Sequence, residues 1–185
     1  MEEIILKGKR CYLRPLTLND VTQDYVTWMN DKNVTRFLET RFILHTHKSI
    51  QDYVQSILKN PDDVFMAICV NGTNQHIGNI KLGPINRQHL FAHIGLMIGD
   101  KDYWGKGYAT EAIGLISQYA FETLKLNKVM AGCYANNVGS MRAFEKAGFY
   151  HEGIEKSKWL CEGQYVDGIL LSLLNLQGKN NFNKI

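Results

Sequence analysis

Ile94-Gly95-Leu96-Met97-Ile98-Gly99-Asp100-Lys101-Asp102-Tyr103-Trp104-Gly105-Lys106-Gly107-Tyr108-Ala109-Thr110-Glu111-Ala112 reads as a buried strand, a glycine-punctuated turn and the first turn of a helix. A helix start presents unpaired backbone N–H groups and roughly half a positive charge, which suits a phosphate. Gly105 and Gly107 can adopt backbone angles closed to other residues and admit a ligand close to the main chain. The stretch therefore predicts a phosphorylated cofactor.

Outward from it, apolar periodicity and turn residues divide the chain. Toward the N-terminus, Arg10 to Arg14 alternates as a strand and ends at Pro15. Thr17-Leu18-Asn19-Asp20 has the form of a capping box opening a helix that carries Val21, Tyr25, Trp28 and Met29. A second helix is expected from Thr46 or His47, stopped by Asn60-Pro61-Asp62-Asp63. Val64 to Val70 is apolar on both faces, as an interior strand should be. The turn Asn71-Gly72-Thr73-Asn74 joins it to Ile77–Leu82, and Leu90 to Ile98 is a fourth strand.

Beyond the loop come a helix from about Ala109 to Leu124 and a fifth strand, Val129 to Ala135. A short helix, Val138 to Ala147, is closed by Gly148, and two strands follow, Phe149 to Cys161 and Tyr165 to Leu174. The order β-α-α-β-β-β-α-β-α-β-β predicts a mixed α/β (α+β) sheet in one layered domain over residues 1–176, not a doubly wound parallel sheet. Residues 177–185, polar and rich in Asn and Lys, are expected to fray.

Composition narrows the class. With 185 residues, 45% hydrophobic and 21% charged, the chain suits one soluble domain with a substantial core. Its apolar runs are too short to span a bilayer, and the start lacks a signal-peptide pattern, so a cytoplasmic protein without a membrane partner is expected. A net charge of +3 is too small and too evenly spread to argue for nucleic acid. Cys11, Cys69, Cys133 and Cys161 are widely spaced in strand segments and read as buried reduced thiols. Only His45-Thr46-His47 approaches metal-ligand spacing, and no metal is expected.

Three phosphate-binding motifs compete for the loop. A nucleotide P-loop needs Gly-Lys-Ser/Thr, but Lys106 is followed by Gly107-Tyr108. A dinucleotide fingerprint needs a third glycine, where this chain has Ala109-Thr110. Trp104-Gly105-Lys106-Gly107-Tyr108-Ala109 instead resembles the pyrophosphate loop of the GNAT (Gcn5-related) N-acetyltransferases, in the form used by the RimJ/RimL-like branch. Trp104 stands where the general pattern has Gln or Arg. Asn137-Val138-Gly139-Ser140 with Phe144-Glu145-Lys146-Ala147-Gly148-Phe149 is similar to a second segment of that branch. Leu13-Arg14-Pro15, Trp28-Met29-Asn30-Asp31 and the closing Gly163-Gln164-Tyr165-Val166-Asp167 match its two ends, so the resemblance covers roughly residues 10–174.

The resemblance implies acetyl-CoA as cosubstrate, direct attack by a primary amine in a ternary complex, and a sheet whose fourth and fifth strands splay. It also implies that Met97, Ile98 and Gly99 run beside the pantetheine arm, with a main-chain N–H near Met97 or Ile98 facing the thioester oxygen. Trp104, Gly105, Lys106, Gly107, Tyr108, Ala109 and Thr110 would hold the pyrophosphate, although Lys106 could instead point into water. Asn137, Phe144 and Lys146 complete the implied cofactor set.

Some relatives place a base eleven positions before the loop motif, which here is His93. A half-buried strand histidine bonded to a neighbour is an equal reading, and Glu39 and His45 are alternatives for the base. The tyrosine that many relatives use as acid would fall at Phe144, which has no proton to give. Ser140 is implied in that role, against the reading of a helix-start hydroxyl bonded to backbone.

For the acceptor, Trp28, Arg36, Glu39, Arg41 and Phe91, with Phe37, Arg87 and His89 nearby, suggest an anionic ring-containing substrate such as an amino-sugar nucleotide. A protein N-terminus acetylated in the ribosomal-protein manner and a non-catalytic coenzyme A-binding module are the alternatives. Monomer and homodimer both fit, the latter through the C-terminal hairpin.

Overall fold

The computed structural model describes residues 4–176; the expected frayed tail lies outside them. Its strands are β1 (Leu6–Lys7), β2 (Cys11–Pro15), β3 (Val64–Val70), β4 (His76–Leu82), β5 (Phe91–Ile98), β6 (Lys128–Tyr134), β7 (Tyr150–Cys161) and β8 (Gln164–Leu174). The helices are α1 (Gln23–Asn30), α2 (Lys32–Thr35), α3 (His47–Lys59), α4 (Tyr108–Glu122) and α5 (Val138–Lys146). The eight strands form one sheet in the order β1-β2-β3-β4-β5-β6-β8-β7. Only β5 and β6 pair in parallel. This is the mixed α/β sheet expected from the sequence.

β3 shows why its seven residues are apolar without a break. Met66, Ile68 and Val70 enter one core cluster, which also holds Ile113, Ile116 and Ala120 of α4. The alternate residues Phe65, Ala67 and Cys69 enter a second cluster with Tyr25 of α1 and Ile50 and Val54 of α3. A strand clothed on both faces has no polar side to show. All four cysteines are free and buried.

Two local expectations need correction. Thr17–Asp20 opens only the short 3-10 turn Leu18–Asp20, and α1 starts afresh with Thr22 accepting from Tyr25 N. The physical reason is Asp20 itself. Its carboxylate accepts from Thr17 N at 2.8 Å and from Nη1 and Nη2 of Arg14, at 2.9 and 2.6 Å, which pins the turn to β2. Secondly, β1 and α2 are too short for periodicity to reveal them; α2 forms because Asp31 caps it through Asn33 N.

Candidate functional site

The sheet opens at its middle. β5 and β6 pair only through Phe91, Ala92 and His93 with Lys128, Val129 and Met130, and then part. Beyond that point β5 keeps β4 on its other side as far as Ile98, and β6 keeps β8 as far as Tyr134. Gly83 N donates to His93 O and Gly99 N to Ile77 O, so the main-chain groups of His93, Gly95, Met97 and Gly99 face β4. By the two-residue period, Leu96 and Ile98 turn theirs into the gap. Of the trio expected beside the pantetheine arm, Ile98 alone turns its main-chain groups into the gap; those of Met97 and Gly99 pair with β4, and Leu96 joins Ile98. Trp104 closes the end of the gap, its indole Nε1 donating to Ile98 O at 2.8 Å.

At that end the chain turns through Gly105 (φ 70°) and Gly107 (φ 86°), both in the left-handed region that favours glycine. Gly107 is the N-cap of α4 and offers no side-chain cap, leaving the first-turn N–H groups without a capping partner. Gly105, Lys106, Gly107 and Thr110 line a groove of about 760 Å³ with Gly8, Lys9, Arg10 and Lys146. Tyr108 and Ala109 are partly buried against the core, and Tyr108 meets Tyr103 edge-on. An uncapped, positively lined helix start beside a strand gap fits a pyrophosphate on a thioester-bearing arm.

Across the gap, α5 begins where Asn137 Oδ1 accepts Ser140 N at 3.2 Å. Asn137 is therefore the helix cap. Among the described residues nothing hydrogen-bonds the Ser140 hydroxyl, so the purely structural role open to it in sequence is not realised. Phe144 departs from the expected cofactor set: it is 2% exposed, packed on Phe149 with centroids 5.0 Å apart, and presents no surface to a ligand. Lys146 reaches the groove from the end of α5.

His93 lies at the fork of the gap, exposed, with the Phe91 ring edge-on at 6.2 Å. No side chain among the described residues hydrogen-bonds its imidazole. Partial desolvation holds its pKa below the usual value, which keeps the ring neutral near pH 7. His45, the other histidine weighed for this role, is buried, with Nε2 2.6 Å from Thr40 Oγ1 and its own main chain held by Asn30.

The residues expected to bind the acceptor separate. Trp28 is packed on the main chain: a Cβ on Gly99 would fall 2.1 Å from its Cδ2. The same ring meets His76 edge-on at 5.3 Å. Arg36 is paired with Glu162 at 2.8 Å. Arg41 donates to Leu38 O (2.9 Å), Leu160 O (2.6 Å) and Tyr134 Oη (2.7 Å), with its side chain only 15% exposed. Arg87 is tied to Asp62 and Pro61 O, next to the α3–β3 connection. Glu39 accepts the Tyr134 hydroxyl proton in a short hydrogen bond while its side chain stays 58% exposed.

Tyr134 is the centre that the sequence did not reveal. It ends β6, stacks on Trp159 at 5.1 Å, touches Phe37 at 5.5 Å and joins Glu39 to Arg41. Burial first, and then the Glu39 hydrogen bond, push its pKa up to about 12, so it stays a neutral donor. A signal existed: an aromatic with a polar tip at a strand end, next to Ala135-Asn136-Asn137. Phe37, Glu39 and Arg41 are about a hundred residues away and carry no spacing rule.

Residues 10–150 match the family described as "Acetyltransferase (GNAT) domain". "Probable N-acetyltransferase YjcK" of Bacillus subtilis is 34% identical over 178 residues, covering 92% of this chain and 97% of its own length. "Uncharacterized N-acetyltransferase p20" of Bacillus licheniformis is 28% identical, covering 91% and 95%. Among solved structures, spermidine N-acetyltransferase from Vibrio cholerae in complex with CoA and spermine superposes with a TM-score of 0.81 at 21% identity, covering 90% of this chain and 96% of its own.

Proposed function

The chain belongs to the GNAT acetyltransferase family and is an acetyl-CoA-dependent N-acetyltransferase; on that premise we propose that it acetylates a small primary amine at the β5–β6 gap, between His93 and Ser140. The observation that carries this reading is the gap itself, with the main-chain groups of Leu96 and the Ile98 N–H turned into it on one side and the uncapped start of α4 at its end.

Acetyl-CoA supplies an activated acyl thioester; the chain supplies position and protons. Main-chain N–H groups from Gly105 to Thr110 and the Lys106 charge hold the pyrophosphate, with Asn137 bracing the far side of the gap. An Ile98 or Leu96 N–H is available for an acyl oxygen as charge builds on it. His93, neutral and unpaired, takes the proton from the ammonium directly or through water. The Ser140 hydroxyl donates a hydrogen bond to the departing sulfur, which takes up the proton that the new amide nitrogen gives up. An amine that is an ammonium ion at about pH 7 must lose that proton before it can attack, whichever acceptor carries it.

The geometry shifts the balance among acceptors. An amino-sugar nucleotide, the reading suggested by Arg36, Arg41 and the aromatics, would have to take Arg36 from Glu162 and Arg41 from four oxygens, Glu39 Oε1 at 3.5 Å among them. Glu39 faces the same region: its Oε1 meets Tyr134 and, at 3.5 Å, Arg41, while the side chain stays 58% exposed beside the Tyr134–Trp159 rings. A carboxylate next to aromatic faces attracts an ammonium group. The reading best supported is therefore a small, cationic, phosphate-free amine. The relation to the RimJ/RimL-like branch stays within this proposal, carried by the loop, the Asn137–Phe149 segment and the two ends of the chain.

Thiol release from acetyl-CoA in the presence of separate amine classes tests it. Release with polyamines or simple alkylamines is expected. Release only with amino-sugar nucleotides, or only with ribosomal-protein N-terminal peptides, would reassign the acceptor; tight coenzyme A binding without turnover would make the protein a binding module.

A further inference from the structure

The start of the chain reaches the groove from outside the loop motif. Lys9 and Arg10, in the turn between β1 and β2, line the groove opposite Gly105, Lys106 and Gly107. The Arg10 guanidinium covers the left-handed glycine: a Cβ on Gly107 would lie 3.7 Å from Nε and 3.9 Å from Cζ. Glu111, in the first turn of α4, fastens this turn to the helix. Its Oε1 accepts from Lys9 N in a short bond and from Arg10 N at 3.0 Å, and its Oε2 lies 3.5 Å from Arg10 Nη1. Gly8 makes the approach possible, because a Cβ there would fall 2.1 Å from Glu111 Oε1. The carboxylate fills the space that glycine leaves.

Charge in the groove is unbalanced. Lys9, Arg10, Lys106 and Lys146 line it against the single carboxylate of Glu111. Among the described residues, Lys9, Lys106 and Lys146 form no ion pair, and Arg10 pairs only with Glu111. The loop already offers main-chain donors and Lys106. The remaining cations exceed what a helix start needs to receive one pyrophosphate.

We propose that Lys9 and Arg10, joined by Lys146, bind a phosphate group of coenzyme A, and that Glu111 is the positioning residue that holds the N-terminal turn over Gly107 for this purpose. The inference rests on the acetyl-CoA reading above and adds a second, side-chain phosphate contact to the main-chain cradle. An exposed guanidinium also stays flexible enough to clamp after the cofactor enters, since its ion pair with Glu111 is long and 57% of its side chain is exposed.

Calorimetric binding of coenzyme A, dephospho-coenzyme A and pantetheine to the full chain tests this without needing an acceptor. Arg10→Ala is expected to raise Kd for coenzyme A about tenfold and to weaken its salt dependence, with less than about a twofold change for pantetheine. Arg10→Lys should recover most of that loss. Glu111→Gln should lose affinity for coenzyme A in the same selective way. If dephospho-coenzyme A is insensitive to Arg10→Ala, the 3′-phosphate is the partner; if it is equally sensitive, the pyrophosphate is. Both outcomes support the proposal. An unchanged Kd for coenzyme A, or equal losses for coenzyme A and pantetheine, would overturn it. Absence of turnover with every amine would strike the catalytic reading and leave this one standing.

Discussion

His93 and Ser140 stand on opposite sides of the sheet gap, each with a polar group that no described side chain occupies. A polar atom left free at such a place is available for a reacting proton. Because desolvation lowers the His93 pKa, the imidazole is neutral from neutral pH down to below its ordinary value of about 6.5. The acid limb of kcat/KM should therefore lie below pH 6.5, and His93→Ala should abolish that limb and lower kcat/KM about a hundredfold. An unchanged limb in the variant would assign the base elsewhere. Ser140→Ala should reduce kcat by roughly tenfold to a hundredfold with little change in KM for acetyl-CoA; the reverse pattern would make the serine a binding group. At this scale sequence located positions better than contacts. The count from Trp104 leads to His93 at the fork, and the resemblance leads to Ser140, but only the contacts show that Asn137 bonds Ser140 N and leaves Oγ open.

Elements were legible where local chemistry decides them. β3 spans the expected residues because a run buried on both faces has one extended solution, and α3 starts at His47 because the Thr46 hydroxyl before it accepts from Ser49 N. The segment from Lys32 to Leu44 was not legible. Its course is set by Arg36 with Glu162 and by Arg41 with Leu160 and Tyr134, across separations of about 90 to 125 residues. Tyr134→Phe keeps the Trp159 stack but removes the bonds to Glu39 and Arg41. It should cost about 1–2 kcal/mol in urea unfolding and raise KM for the amine more than for acetyl-CoA. Trp28 shows the same limit from the other direction. Its helical spacing was clear in sequence, but its contact with Gly99 is tertiary and gives it a packing role. Gly99→Ala should therefore destabilise by about 1–3 kcal/mol, and Trp28→Ala in the same chain should relieve part of that strain. Additive losses would contradict the contact.

For the whole molecule, the two core clusters on either side of the sheet meet at β3 and fix the sheet that the gap divides. His76 links this core to solution pH. It is held by Gly78 O and Asn79 Oδ1 against the edges of the Tyr25 and Trp28 rings, and burial lowers its pKa. The unfolded chain binds this proton more readily, so the His76 contribution to stability is complete above pH about 6.5 and is lost as pH falls below it. His76→Gln should flatten that part of the stability–pH curve; parallel curves for the two proteins would remove His76 as the cause.

The central claim is that the divided sheet transfers an acetyl group from coenzyme A to a small cationic amine. Its most direct measurement is the release of free coenzyme A thiol, with mass-spectrometric detection of the acetylated product, across alkylamines, polyamines, amino-sugar nucleotides and N-terminal peptides. Thiol release matched by acetylated alkylamine or polyamine is the predicted result. No acetylated product from any amine, with acetyl-CoA bound and intact, would contradict the account.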